Sequence, residues 1–401
     1  MARVARVEAF APDEIATIHV MNRVVRRCFL MGIDELSGKN YDHRKAWIEK
    51  ELKRLAAGFG IDLLSFAILS NHFHLILRSR PDVVETWDDT EVARRWWLLC
   101  PVRKSADGGA AEPSEPELNS IRFDADKVKT IRSRLSDISW WMRLLCQRIA
   151  QKANAEEKIS GKFWQNRYRA VRLIDDEAIL ACAAYVDLNP IRAGMAQTIE
   201  DSQFTSARLR LQTIVGAVEG AVDSDDGLTL LQSTTATDSL QAVVDSTESA
   251  NRELPIQSSV VQSSAPASTQ ATGEFKAAVD SFLAPIEIDE LNDPLGARAS
   301  ADKHRCSDKG FLAMPTAAYL ELLDWTARQI ATGKLGATPE DAPLIFERLK
   351  IKPTVWYELV TRFGKLFSLV AGQPHRVDEF RGRLRKKRYH LRQAARELLS
   401  A

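Results

Sequence analysis

Two histidines one residue apart, His72 and His74, lie inside the apolar run Ser65-Phe66-Ala67-Ile68-Leu69-Ser70-Asn71-His72-Phe73-His74-Leu75-Ile76-Leu77. In an extended strand, side chains at i and i+2 project from the same face, so both imidazoles can reach one cation. Further along, Ala184-Tyr185-Val186-Asp187-Leu188-Asn189-Pro190-Ile191-Arg192-Ala193-Gly194-Met195 offers a phenol hydroxyl and an amide oxygen four residues apart. On a helix that spacing puts both groups on one face. Together the two segments suggest a metal-assisted tyrosine nucleophile. Each group also has an ordinary structural use. A histidine on a half-buried strand is commonly satisfied by packing, Tyr185 reads equally as a core residue of an amphipathic helix, and Asn189 as the cap of a helix stopped by Pro190 and Gly194.

The order of three motifs adds information that no single motif carries. Leu69-Ser70-Asn71-His72-Phe73-His74-Leu75, Phe163-Trp164-Gln165-Asn166-Arg167-Tyr168 and Tyr185-Val186-Asp187-Leu188-Asn189-Pro190-Ile191-Arg192-Ala193-Gly194 follow one another along the chain. In this the chain resembles the IS200-like, single-tyrosine transposases with a His-hydrophobic-His core, and more closely their REP-associated branch. The resemblance covers residues 10 to 205, about half of the chain. It implies an α+β fold, a ferredoxin-like antiparallel sheet with flanking helices forming an HUH endonuclease core. It places Tyr185 at the nucleophile position, His72 and His74 as metal ligands, and Asn189 where a third, amide-oxygen ligand would come. The implied activity is nicking and rejoining of single-stranded, hairpin-forming DNA through a 5′-phosphotyrosine linkage with a free 3′-hydroxyl. That linkage conserves the phosphodiester energy, so strands rejoin without ATP.

Two imidazoles and an amide discriminate little between divalent ions, so availability decides, and Mg²⁺ or Mn²⁺ is the expected cofactor. Cys182, three residues before Tyr185, reads as packing. Asn22, Arg23, Lys162, Arg167, Arg169 and Arg192 lie in or beside the matched motifs and are candidate phosphate contacts, while Trp164 or Tyr168 could stack on an unpaired base. Trp164 reads also as a core aromatic, and Arg167 as an ion-pair partner of Asp175 or Asp176. One departure from the family stands beside the first of these: Val24 follows Asn22-Arg23 where a glycine is common. Two other functions remain open. One is a domesticated hairpin-DNA-binding protein without essential cleavage; the other is a relaxase or replication initiator, from which the motif starting at Phe163 points away.

The formal net charge of +1 conceals an uneven distribution. Residues 213–300 hold 3 basic and 14 acidic side chains, residues 301–401 hold 19 and 11, and residues 1–212 hold 33 and 29. Two basic ends suit a phosphate backbone, and the acidic middle should repel it. Five scattered cysteines, Cys28, Cys100, Cys146, Cys182 and Cys306, contain no Cys-x-x-Cys pair and argue for a reducing compartment. The N-terminus lacks the apolar stretch of a signal peptide and no segment is apolar enough to span a membrane, so a cytoplasmic protein is expected.

The periodicity predicts a first strand over residues 15–25, leading through Cys28-Phe29-Leu30 into a second. A helix follows over residues 41–59 on Trp47, Ile48, Leu52 and Leu55, and then the histidine strand. Residues 81–134 read as an insertion, either a clamp over DNA or a surface subdomain with its own small core. A transposase domain over 1–212, an acidic disordered linker over 213–300 and a small basic helical domain over 301–401 complete the expected organisation. The linker expectation rests on Ser, Thr, Ala, Gln and Asp with Phe275 and Phe282 as its aromatics. Short helices follow on Tyr319, Leu322, Leu323 and Trp325, on Leu344, Ile345 and Leu349, and on Val355, Trp356, Leu359, Val360 and Phe363. They end in a basic segment from His375 that could add DNA contacts. The long insertion and extension favour a monomer.

Overall fold

The computed structural model describes residues 13–25, 31–34, 37–106, 108–223, 278–289, 296–332, 352–384 and 389–400. The strand expected through Cys28-Phe29-Leu30, residues 224–277 of the expected linker, the helix on Leu344, Ile345 and Leu349, and Arg385 to Arg388 of the basic run lie outside the described residues.

The chain begins with β1 (Thr17–Arg23), α1 (His43–Gly58), β2 (Ile61–Ile68) and β3 (His72–Ser79). Then come α2 (Pro81–Glu85), α3 (Asp89–Leu99), α4 (Glu115–Arg122), α5 (Ala125–Leu135) and α6 (Ile138–Glu157). The middle holds β4 (Arg169–Leu173), α7 (Asp176–Asp187), α8 (Asn189–Arg192) and α9 (Ser206–Asp223). The last elements are α10 (Thr316–Thr332), α11 (Pro353–Leu366), β5 (Val370–Ala371), α12 (Pro374–Leu384) and α13 (Gln393–Leu399). The fold is α+β. Five strands form one mixed sheet in the order β2-β3-β1-β4-β5; every neighbour pair is antiparallel except β4 with β5. The expected purely antiparallel sheet is therefore extended by one parallel strand that only the C-terminal segment supplies.

The run from Ser65 to Leu77 forms two strands, not one. A turn at Ser70-Asn71 folds it into a hairpin closed by Leu69 N–H donating to His72 O at 2.9 Å. Every residue of β2 is buried, so neither strand shows the polar–apolar alternation that would have marked the reversal.

Side chains leave the sheet on both faces into two apolar layers. On one face Ile18, Val20, Phe66, Phe73 and Leu75 meet α1 through Ile48, Leu52 and Leu55, and meet α6 through Trp141, Met142 and Leu145. Residues 81–134 join this layer through Val83, Val92, Leu99, Leu118 and Ile131, so the insertion has no separate core of its own. On the other face Leu64, Ile76, Val171 and Leu173 meet α7, α10, α11 and α12. The expected boundaries at 213 and 300 also shift. α9 runs through residue 213, and Phe282, Leu283, Ala284 and Ile286 are buried against the sheet layers. These apolar side chains fill gaps at the open edge of β2, where composition averaged over the whole acidic tract hides them.

β2 would otherwise present unpaired backbone groups to solvent. Ala284 N–H donates to Leu63 O at 3.0 Å, and Asp62 binds the segment that follows. Its carboxylate meets Arg78 at 2.7 Å and Arg80 at 3.3 Å and accepts from Ser307 Oγ at 2.8 Å. Arg78 donates to Lys309 O and Gly310 O, and Arg80 to Ala297 O. Gly310 fits because a Cβ there would lie 1.8 Å from Glu287 O. Among the described residues, no helix is long and apolar enough to cross a membrane.

Candidate active site

β1 and β3 run antiparallel with Arg23 opposite His72, Met21 opposite His74 and His19 opposite Ile76. The odd residues of β1 and the even residues of β3 therefore share the face on which α7 packs. His19 and His74 are diagonal neighbours there, with His19 Nε2 2.9 Å from His74 Nδ1. Their planes differ by 9° and their centroids lie 5.1 Å apart, so the rings meet end to end through one hydrogen bond and do not overlap face to face. His72 stands perpendicular to His74 at a centroid distance of 5.0 Å, and its Nδ1 lies 2.6 Å from Asn71 Oδ1. Sequence reasoning missed His19. Its signal was a lone polar residue between Ile18 and Val20.

Burial keeps the three rings neutral at ordinary pH. It lowers His19 to about 3, helped by Arg169, and lowers His72 to about 3, helped by Arg23 and Arg192. His74 is driven well below 6.5, first by burial and then by His72 and His19. A neutral imidazole has the lone pair that a metal needs.

α7 brings Tyr185 to these rings. The helix starts where Asp175 accepts from Ala178 N–H at 2.9 Å, with Asp176 and Glu177 in the first turn facing the positive end of its dipole. At its other end Asp187 is fully enclosed, accepting from Ser206 Oγ at 2.5 Å, Ala207 N–H at 3.1 Å and Tyr319 Oη at 2.6 Å. Burial pushes the Asp187 carboxyl up, and those hydrogen bonds oppose the rise. Two residues earlier, the Tyr185 ring is 8% exposed and stands perpendicular to His74 at 5.4 Å and nearly so to His19 at 5.9 Å. The Arg192 guanidinium lies 4.5 Å from the centre of the Tyr185 ring.

Asn189 does not continue the helix of Tyr185. α7 ends at Asp187, and Asn189 opens the separate short turn α8, because Pro190 has no N–H and its ring opposes continuation. Asn189 is buried, and its Nδ2 has no hydrogen-bond partner; the same holds for His74 Nε2 and His19 Nδ1. The His74 Nε2 lone pair has the chemistry a cation needs, whereas an amide nitrogen can only donate, so Asn189 could serve as a ligand only through Oδ1. Among the described residues, no set of three or more His, Cys, Asp or Glu is arranged to hold a metal. A cation here would need a ligand of another kind, such as an amide.

The C-terminal segment closes the cluster from above. Phe363 of α11 packs on Tyr185 at 5.5 Å and on His19 at 6.1 Å. A Cβ on Gly364 would lie 3.1 Å from Tyr185 Oη. Arg192 donates to Thr361 O at 2.7 Å, so this expected phosphate contact is engaged within the chain.

Of the other expected DNA contacts, Asn22, Trp164, Arg167 and Tyr168 line a cavity of about 440 Å³ together with Trp140 and Arg143. Asn22 is buried and donates to Cys146 Sγ at 3.2 Å. Trp164 is half-buried, donating from Nε1 to Cys146 O at 2.8 Å and packing edge-on against Phe73 and Phe163. Tyr168 is buried and donates to Ser139 Oγ at 3.2 Å. Lys162, Arg167 and Arg169 are exposed, and Arg23 lies partly buried beside His72. Asp175, considered as an ion-pair partner of Arg167, instead caps α7 and accepts from Gln373 N–H at 2.6 Å.

No protein-family model matches the chain, and no curated protein matches it. Among solved structures, the chain is similar to a REP-associated tyrosine transposase bound to a REP hairpin, with 11% sequence identity and a TM-score of 0.30. The match covers 59% of this chain and 96% of that one.

Proposed function

We propose that this chain nicks and rejoins single-stranded DNA, with Tyr185 as nucleophile and with His72, His74 and Asn189 holding Mg²⁺ or Mn²⁺. The observation that carries the reading is the contact of the Tyr185 phenol with His74, 5.4 Å between ring centres. The strand order β2-β3-β1-β4, with α1 between β1 and β2 and α6 between β3 and β4, supports a ferredoxin-like HUH core. The motif order described from the sequence supports the same assignment.

A divalent cation, when bound, would withdraw charge from the scissile phosphate and orient it for in-line attack. The Tyr185 oxygen then forms a bond to phosphorus as the bond from phosphorus to the 3′-oxygen breaks. The phenolic proton passes to solvent and the departing 3′-oxygen takes one up from solvent to become a hydroxyl, leaving a 5′-phosphotyrosine. Arg192, 4.5 Å from the centre of the Tyr185 ring and tied to Thr361 O, braces the ring between α8 and α11. Exposed Lys162, Arg167 and Arg169 offer charge to the DNA backbone, and the cavity at Trp164 offers room for an unpaired base.

The test is incubation of the full-length protein with hairpin-bearing single-stranded oligonucleotides and Mn²⁺, followed by a denaturing gel. A covalent adduct is expected that disappears in Tyr185→Phe and in His72→Ala. An adduct that persists in Tyr185→Phe would refute the nucleophile. The packing of Phe363 and Gly364 over Tyr185 favours one second reading, a hairpin-DNA binder that does not cleave. Tight binding with no adduct would support it.

A further inference from the structure

The two candidate ligands share one arrangement. In each, Nδ1 is held by a neighbour and Nε2 is left over: Asn71 Oδ1 holds His72, and His19 Nε2 holds His74. An amide oxygen can only accept, so His72 must carry its proton on Nδ1 and keep a lone pair on Nε2. For His74 the partner is another imidazole, which can accept or donate.

We propose that His19 is a positioning residue that holds His74 by accepting its Nδ1–H when a cation takes the Nε2 lone pair, so that the two rings and the cation site are linked. This rests on the metal-site reading above. With one proton on each ring, two arrangements are available. In the first, His74 Nδ1–H donates to His19 Nε2, and His74 Nε2 is a bare acceptor. In the second, His19 Nε2–H donates to His74 Nδ1, and the proton of His74 sits on Nε2. Each arrangement leaves one buried N–H without an acceptor, at His19 Nδ1 in the first and at His74 Nε2 in the second, so the two rings alone do not choose between them and a cation at His74 Nε2 decides for the first. In the first arrangement the lone pair on Nε2 is satisfied when a cation takes it. Tautomer and cation are therefore coupled through a single hydrogen bond between two enclosed rings. The in-plane geometry, 9° between the rings at 2.9 Å, suits that bond and restrains the rotation of His74 as well. His19 turns its Nε2 to His74, which leaves its Nδ1 as the ring's other nitrogen.

The experiment uses full-length wild-type protein with His19→Phe, His19→Gln and His74→Ala, read in two ways. Mn²⁺ affinity is measured from the electron paramagnetic resonance of the free ion, and the ring tautomers from histidine ¹⁵N spectra with and without Mg²⁺. His19→Phe is expected to weaken Mn²⁺ binding about 10–100-fold. His19→Gln, whose amide oxygen still accepts, is expected to restore most of it. Wild-type protein with Mg²⁺ is expected to carry the His74 proton on Nδ1. Unchanged Mn²⁺ affinity in His19→Phe, alongside its loss in His74→Ala, overturns the role of His19 and leaves the metal site standing. No Mn²⁺ uptake by wild type, or equal uptake by His74→Ala, overturns the metal site and this role with it. If His19→Phe does not fold, the wild-type tautomer decides: a proton on Nε2 with Mg²⁺ present overturns the proposal.

Discussion

Gly364 and Tyr185 oppose each other across the closed site, and their contact can be measured. Glycine inside a helix such as α11 costs about 1 kcal/mol relative to alanine. At this position a Cβ would sit 3.1 Å from Tyr185 Oη, tighter than ordinary van der Waals contact. Gly364→Ala should therefore stabilise a Tyr185→Phe background by up to about 1 kcal/mol, while in the Tyr185 background the close contact offsets that gain. Urea unfolding of the four proteins in the cycle checks this, and additive effects would show that α11 does not rest on the hydroxyl. The residues that make this contact lie about half the chain apart in sequence. His72 and His74 stood out by their i, i+2 spacing on a strand, and Tyr185 only through the resemblance carried by the order of the motifs; Phe363 and Gly364 did not stand out, since no local period connects them to the site.

Among the elements, the seam between β2 and the segment around residues 296–312 depends most on one side chain. Asp62 is 1% exposed. Burial opposes its charge, but Arg78, Arg80 and the hydrogen bonds from Cys306 and Ser307 outweigh that penalty and hold the carboxyl below its ordinary value. Asp62→Asn leaves Arg80 with less compensation and should destabilise the fold by about 3–5 kcal/mol. The pH dependence follows in sign. A carboxyl lowered in the folded state adds stability that is complete above the ordinary value of 3.8 and is lost as pH falls below it through the folded value. Acid unfolding monitored by circular dichroism should show a drop in stability below pH 3.8 that is absent in Asp62→Asn. Helix α1 was legible because Ile48, Leu52 and Leu55 repeat on one face and that face is fully buried. Strand β4 was not, since Arg169 to Leu173 mixes two arginines with apolar residues and owes its state to pairing with β1 and β5.

Across the whole molecule, charge is separated along the chain while the folded layers bring its ends together. Residues 213–300 carry a net −11, residues 301–401 a net +8. On the proposed function, DNA drawn to exposed Lys162, Arg167 and Arg169 approaches with that acidic tract tethered to the same chain. Replacing residues 224–277 with a neutral Gly/Ser segment of equal length should tighten binding of single-stranded DNA, and more so at low salt, where screening is weakest. Fluorescence anisotropy at two ionic strengths tests this, and an affinity unchanged at both would refute the electrostatic role. The division into a sheet domain and a separate helical tail, natural from composition, dissolves in the structure because α10, α11 and α12 complete the second apolar layer.

That shared layer also sets a timetable. Strands β1 to β4 and α7 are synthesised by residue 187, yet Phe363 and the rest of α11 arrive well over a hundred residues later. At roughly 5–20 residues per second on the ribosome, the gap lasts on the order of 10–40 s. Throughout it, the face bearing His19, His74 and Tyr185 is bare of its final cover. Each newly made chain thus passes through a period in which its tyrosine is open to solvent and its apolar surface is open to chaperones, before α11 is laid down over both.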